Sequence, residues 1–314
     1  MMPEHILQIP LLLKILLTKG IYDENSYSCR LFPLSSIQIF TMSLKNKIVL
    51  ITGASRGIGK AIALRLAREG AHIVIAAKSV EENAKLGGTI FSAAEEVEKA
   101  GGQALAVQCD IRFEEQVQNV IDKAVEKFGG IDILVNNASA ISLTSTEKTD
   151  PKRFDLMHDI NVRGTFFVTK ACIPYFKKSS NAHILTLSPP VNMNPKWLKG
   201  HIAYTLTKYN MSMMAIGWAA ELKQYNIASN ALWPKTTIDT AAVRNLLGGE
   251  TLANMSRTPE ILADAAFYIF SKPSSQCTGN CFIDEEVFEA EGITDLSKYA
   301  VVAGAQLYKD LFVD

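Results

Sequence analysis

Seven short apolar runs, at residues 48–51, 72–77, 104–109, 133–136, 182–188, 228–232 and 282–284, alternate along the chain with amphipathic stretches at 57–69, 93–100, 114–128, 151–175, 203–225 and 259–270. Several runs are rich in β-branched residues and most lack strict polar–apolar alternation, as expected of strands buried on both faces. Strands that alternate with helices in this way pair in parallel, each helix carrying the chain back across the sheet. The sequence therefore predicts an α/β fold, a doubly wound parallel sheet of Rossmann type, in a single domain over residues 42–314.

Residues 1–41 do not share this pattern. Their apolar run, residues 6–17, holds twelve residues broken by Gln8, Pro10 and Lys14, whereas a membrane-spanning helix needs roughly twenty. One arginine, Arg30, stands against Glu4, Asp23 and Glu24, the reverse of an Arg-rich, acid-poor transit peptide. The segment reads as a poorly ordered extension ahead of the domain that opens at Met42.

Charge narrows the partners. Lys and Arg total 32 against 32 Asp and Glu, so there is no excess of positive charge to form a nucleic-acid surface. The five cysteines are odd in number and scattered, which points to a reducing compartment and not to a disulfide scaffold. The five histidines show no ligand spacing, and Cys277 and Cys281 lack the further Cys or His that would complete a zinc site. No metal is expected.

The first predicted strand runs directly into Thr52-Gly53-Ala54-Ser55-Arg56-Gly57-Ile58-Gly59 and then a helix. Glycines at 53, 57 and 59 let the backbone turn tightly and approach a pyrophosphate, which the amides of Ala54, Ser55, Arg56 and Ile58 at the helix N-terminus then face. An acid ending the second strand would hydrogen-bond a ribose 2′-hydroxyl and select NAD. That strand ends Ala76-Ala77-Lys78-Ser79 instead, and Lys78 with Arg56 offers positive charge to a 2′-phosphate. NADP(H) is the expected cofactor.

Thr-Gly followed by three residues and Gly-x-Gly resembles the short-chain dehydrogenase/reductase superfamily. Tyr204-Thr205-Leu206-Thr207-Lys208, after the fifth strand, matches that family's Tyr-x-x-x-Lys and sets a phenol and an ammonium one helical turn apart. Lowering a phenol pKa from near 10 to about 7 takes roughly 4 kcal/mol of preferential phenolate stabilisation, which Lys208 and a nicotinamide cation can supply. The resemblance implies that Tyr204 is the general acid/base, that Lys208 also holds the nicotinamide ribose, and that Asn161 holds a water for proton relay. It further implies that Asp110 contacts adenine and that Asn137, in Asn136-Asn137-Ala138-Ser139, supports the cofactor-binding backbone. A second pair at this spacing, Tyr268 and Lys272, has no strand terminus before it and reads as structural.

Three departures stand out. The family's catalytic serine falls on Pro189, leaving Ser188, sixteen positions before Tyr204, as the nearest hydroxyl to orient a carbonyl. Trp233-Pro234-Lys235-Thr236 replaces the usual Pro-Gly, which sets Lys235 beside the nicotinamide carboxamide region, and Ile283-Asp284-Glu285-Glu286 replaces Asp-Gly-Gly. Together with residues 131–143, 228–237 and 278–285, these resemble the hydroxysteroid dehydrogenase-like subgroup, over about residues 43–314. Animal members of that subgroup add a C-terminal sterol-carrier domain, and this chain ends before it, at Asp314. The resemblance implies a mitochondrial or peroxisomal setting, although the C-terminus is not Ser-Lys-Leu.

The expected activity is NADP(H)-dependent interconversion of an apolar alcohol and its carbonyl, with no membrane span and a homo-oligomeric assembly. Met193, Trp197, Leu198 and Trp233 are candidates to line an apolar substrate cleft, and core packing accounts for each of them as well. Met211, Met214 and Trp218 share one helical face, read as core or subunit packing. Reduction of an activated double bond and a cofactor-binding scaffold role stay open, the latter because of Pro189.

Overall fold

The computed structural model describes residues 42–83 and 86–314. The predicted extension, residues 1–41, lies outside them. Seven parallel strands form one sheet in the order β3-β2-β1-β4-β5-β6-β7: β1 Ile48–Thr52, β2 His72–Ala77, β3 Gln103–Gln108, β4 Ile133–Asn136, β5 Ala182–Leu187, β6 Ile227–Trp233 and β7 Cys281–Ile283. Every residue of β1, β4, β5 and β6 is buried, because helices cover both faces.

The principal helices are α1 Gly57–Arg68, α2 Ile90–Lys99, α3 Glu114–Phe128, α4 Pro151–Met157, α5 Thr165–Phe176, α6 Pro195–Leu198, α7 Ile202–Glu221, α8 Gly249–Asn254, α9 Glu260–Phe270 and α10 Asp284–Ala290. The period-two geometry of β1 divides its side chains between two cores. Val49 and Ile51 pack with Ile62 and Leu66 of α1 and Ile269 of α9. Ile48 and Leu50 pack with Val120 of α3 and Phe176 of α5. Trp218 belongs to that second core and Met211 is fully buried.

Two helical stretches differ from their predicted form. Helix α2 begins at Ile90, three residues earlier than expected, because Thr89 and Ser92 form a reciprocal capping box. The stretch predicted as one helix over 151–175 is interrupted by a π-helical turn, His158–Gly164. Asn161 lies within that turn, and its side chain is bonded to Ala140 on both backbone groups, which holds this widened turn against the end of β4.

Sequence order reverses between β1 and β4 in the sheet. In open α/β sheets the crevice beyond the strand C-termini at such a reversal is where ligands bind.

Candidate active site

The glycine-rich loop occupies that crevice. Gly53 has φ +68° and Gly57 φ +55°, a left-handed backbone that glycine takes without cost. Gly59 answers a different need: a Cβ there would stand 2.5 Å from Asn137 Nδ2 and 2.9 Å from the Gly53 carbonyl oxygen. Asn137 fills that space, its Nδ2 donating to the carbonyls of Thr52 at 2.8 Å and Gly53 at 3.0 Å. Asn137 thus ties the end of β4 to the loop. Ala54 and Ser55 are buried, Ile58 is half-buried, and a cleft of about 490 Å³ opens alongside, lined by Arg56, Gly57, Lys60, Asp239, Thr240 and Arg244.

This loop fits a dinucleotide. Helix α1 has no side-chain cap and no acid in its first turn, so its leading amides are available to an anion. Arg56 bonds to the Ser79 hydroxyl and, at 3.4 Å, to the Gly88 carbonyl. Its buried Nε has no protein partner, and burial lowers the pKa of its guanidinium. Lys78 is largely exposed, with Nζ 3.7 Å from Asp110. Desolvation acts to raise the Asp110 pKa, but hydrogen bonds from Arg112 with the charges of Lys78 and Arg112 prevail and lower it. Ser79, Gly88 and Arg112 were not anticipated from the sequence. Gly88 has φ +67° and lies so near Ser55 that a Cβ would reach 2.5 Å from its carbonyl oxygen. The Gly-Gly pair at 87–88 was the available signal.

At the other end of the crevice, α7 presents Tyr204 and Lys208, both buried. Lys208 Nζ donates to the Leu187 carbonyl at 2.7 Å, at the very end of β5, and lies 5.1 Å from the Trp233 ring centre. Ser188 follows, fully buried, its hydroxyl without a protein partner. The Pro189 carbonyl accepts from Ser212 Oγ at 2.5 Å and the Asn192 carbonyl from Tyr209 Oη at 2.6 Å, which pins the long loop onto α7. Asn161 is also fully buried, and its amide is spent on Ala140 and on Thr207 Oγ1 at 2.9 Å.

Burial pushes the Tyr204 phenol up, and the charge of Asp310 pushes it further. The cause is that the tyrosine is shut away from water, and the lowering expected from the sequence is one that Lys208 and a bound nicotinamide cation would together have to supply against this burial. Burial lowers Lys208 to about 7 against the attraction of Asp310. Burial raises Asp310 itself to about 7.

Asp310 and the residues after it had no sequence signal. They form a strap: Asp310 donates its amide to the Lys235 carbonyl at 3.1 Å, and Trp233 Nε1 donates to the Leu311 carbonyl at 2.9 Å. Asp284, at the start of α10, holds the Lys235 amide at 2.8 Å. It therefore has a concrete task in the segment that replaces Asp-Gly-Gly. Trp197, Leu198 and Trp233 belong to the hydrophobic cluster that contains Tyr204, whereas Met193 is 69% exposed and is not packed into it. Tyr268 and Lys272 lie apart from the site, Lys272 pairing with Glu291 at 2.6 Å. Among the described residues no cluster of His, Cys, Asp and Glu is arranged to hold a metal, and no helix is long and apolar enough to cross a membrane.

A family model described as short chain dehydrogenase matches residues 47–250. Hydroxysteroid dehydrogenase-like protein 2 of Bos taurus is 56% identical over 274 residues, covering 87% of this chain and 65% of that protein. The Homo sapiens protein of the same name is 56% identical over 266 residues, covering 85% and 63%. The chain thus spans a little under two thirds of the length of these relatives. Among solved structures, a short chain dehydrogenase from Mycobacterium thermoresistibile is 53% identical with a TM-score of 0.82, covering 87% of this chain and 96% of its own. A short-chain type dehydrogenase/reductase from Mycobacterium marinum is 28% identical with a TM-score of 0.66, covering 77% and 94%.

Proposed function

The chain belongs to the short-chain dehydrogenase family, an oxidoreductase family that uses nicotinamide cofactors, and on that premise we propose that it interconverts an apolar alcohol and its ketone or aldehyde with NADP(H). The observation that carries this reading is the bond from Lys208 Nζ to the Leu187 carbonyl at the end of β5, immediately before the unpartnered hydroxyl of Ser188, with buried Tyr204 one helical turn before Lys208 on α7. When bound, the cofactor supplies or accepts the hydride. Arg56 and Lys78 hold the 2′-phosphate, and the amides of Ala54, Ser55, Arg56 and Ile58 meet the pyrophosphate. Ser188 donates a hydrogen bond to the substrate carbonyl in place of the hydroxyl that Pro189 lacks. Tyr204, kept protonated by its burial, gives its proton to the carbonyl oxygen in the reductive direction. Lys208 holds the nicotinamide ribose and stabilises the phenolate left behind. Exposed Leu206, Met213 and Ile216 on α7 provide the face for a homo-oligomer, the usual state in this family.

The test follows NADPH absorbance with a panel of ketones, aldehydes and enoyl thioesters. Turnover of carbonyl compounds is expected, and Tyr204→Phe is expected to lower kcat by about a hundredfold or more. Lys78→Ala is expected to weaken NADPH binding while leaving NADH binding unchanged. Turnover confined to the enoyl thioesters would make the chain a double-bond reductase, and tight NADPH binding with no turnover would make it a scaffold.

A further inference from the structure

The strap over residues 308–314 is built into the fold at several points. Tyr308 accepts from the Thr237 amide at 2.9 Å and donates to the Met255 carbonyl at 2.8 Å, and Lys309 bridges Thr236 in antiparallel fashion. Asp314 accepts from Asn192 Nδ2 at 2.8 Å and pairs with Lys196. Between these anchors Phe312 has φ +70°, a conformation rare for a residue with a bulky side chain. Its side chain is 1% exposed.

What holds it there is an aromatic cage. The rings of Trp197, His201, Tyr204, Tyr209 and Trp233 surround Phe312 with centroid separations of 5.4 to 6.4 Å. The cage is assembled from α6, the start of α7 and the end of β6, and α7 is the helix that carries Tyr204 and Lys208. Asp310, two residues before Phe312, is near enough for its charge to act on both. An apolar group brought to Tyr204 therefore meets a space already filled by a phenyl ring of the chain itself.

We propose that Phe312 is an internal stand-in for the substrate: its ring occupies the pocket that receives an apolar group of about phenyl size beside Tyr204, and the strap withdraws when a carbonyl compound bearing such a group enters. The inference rests on the carbonyl chemistry proposed for Tyr204. It identifies the substrate class as ketones or aldehydes carried on a single ring or a branched aliphatic group. It also makes Phe312 the residue that sets apparent affinity, since a pocket open only part of the time weakens binding in proportion to the open fraction.

The test uses the full chain with NADPH and benzylacetone as the probe, and compares the parent with Phe312→Ala and with Asp314→Ala. Asp314→Ala loosens the exposed tether and leaves the cage intact. Phe312→Ala is expected to lower KM by about tenfold, and Asp314→Ala by about two- to fivefold, the range of an exposed ion pair. A merely structural role would raise KM or leave it unchanged. Hydrogen exchange of the amides of 310–313 is read in parallel on the Tyr204→Phe protein, and saturating benzylacetone is expected to speed it. A strap that stays protected at saturation, or a KM that rises in both variants, overturns the proposal. Faster exchange with no turnover in any variant upholds the strap and refutes the chemistry assigned to Tyr204.

Discussion

Tyr204 and Lys208 lie one helical turn apart, yet burial drives their proton equilibria in opposite directions, the phenol upward and the ammonium downward. Both shifts favour the neutral form, because a closed apolar site penalises charge. Asp310 and Asp284 follow the same rule, raised to about 7 and about 6. An unfolded carboxyl releases its proton near pH 4, so the stability these two contribute is fully present below that pH and is lost as pH rises through 6 to 7. For Lys208 the unfolded chain keeps its proton to about pH 10, so the cost of burying an ammonium, present below about pH 7, is relieved as pH rises above it. In thermal unfolding of the cofactor-free protein these two carboxyls should therefore contribute a fall in stability from about pH 4 to pH 7, opposed by His183, which burial lowers to about 4. Lys208 should contribute a recovery above pH 7. Asp310→Asn should flatten the falling limb and Lys208→Met the rising one. The Tyr204–Lys208 pair was readable from the chain as a spacing on one helix. Asp310 was not, because its only relation to Lys208 is spatial.

At the scale of elements, the π-helical turn at His158–Gly164 decides where Asn161 can act. Its side chain makes three bonds, to Ala140 N, Ala140 O and Thr207 Oγ1, joining the turn to the loop after β4 and to α7. Asn161→Ala leaves those buried groups unpaired and should lower the unfolding free energy by about 2–3 kcal/mol, read from the denaturant midpoint at unchanged slope. A regular helix through 151–175 was the natural reading of the apolar spacing. The turn departs from it because a tertiary hydrogen-bond set outweighs the local preference for i to i−4 bonding. The strands, by contrast, were legible to within a residue or two. Their length and apolar content reflect burial on both faces, a property that each run carries by itself.

For the molecule as a whole, the nucleotide crevice joins the two halves of the sheet, β1–β3 on one side and β4–β7 on the other. A ligand gripping loops from both halves stabilises the entire domain. NADPH at about one hundred times its Kd should raise the unfolding free energy by roughly 2.7 kcal/mol, seen as a Tm increase that Arg56→Ala diminishes at the same NADPH concentration. The fold class, the glycine-rich loop with its Lys78 neighbour, and the Tyr204–Lys208 motif could all be derived from the chain alone. Each is encoded over a few consecutive residues, by periodicity, backbone freedom or helical spacing. The aromatic cage around Phe312, the Asp310 carboxyl whose charge acts on Lys208 and the upward shift of the Tyr204 phenol emerged only on folding. They arise from contacts between segments some hundred residues apart, and from a burial that no local stretch of sequence specifies.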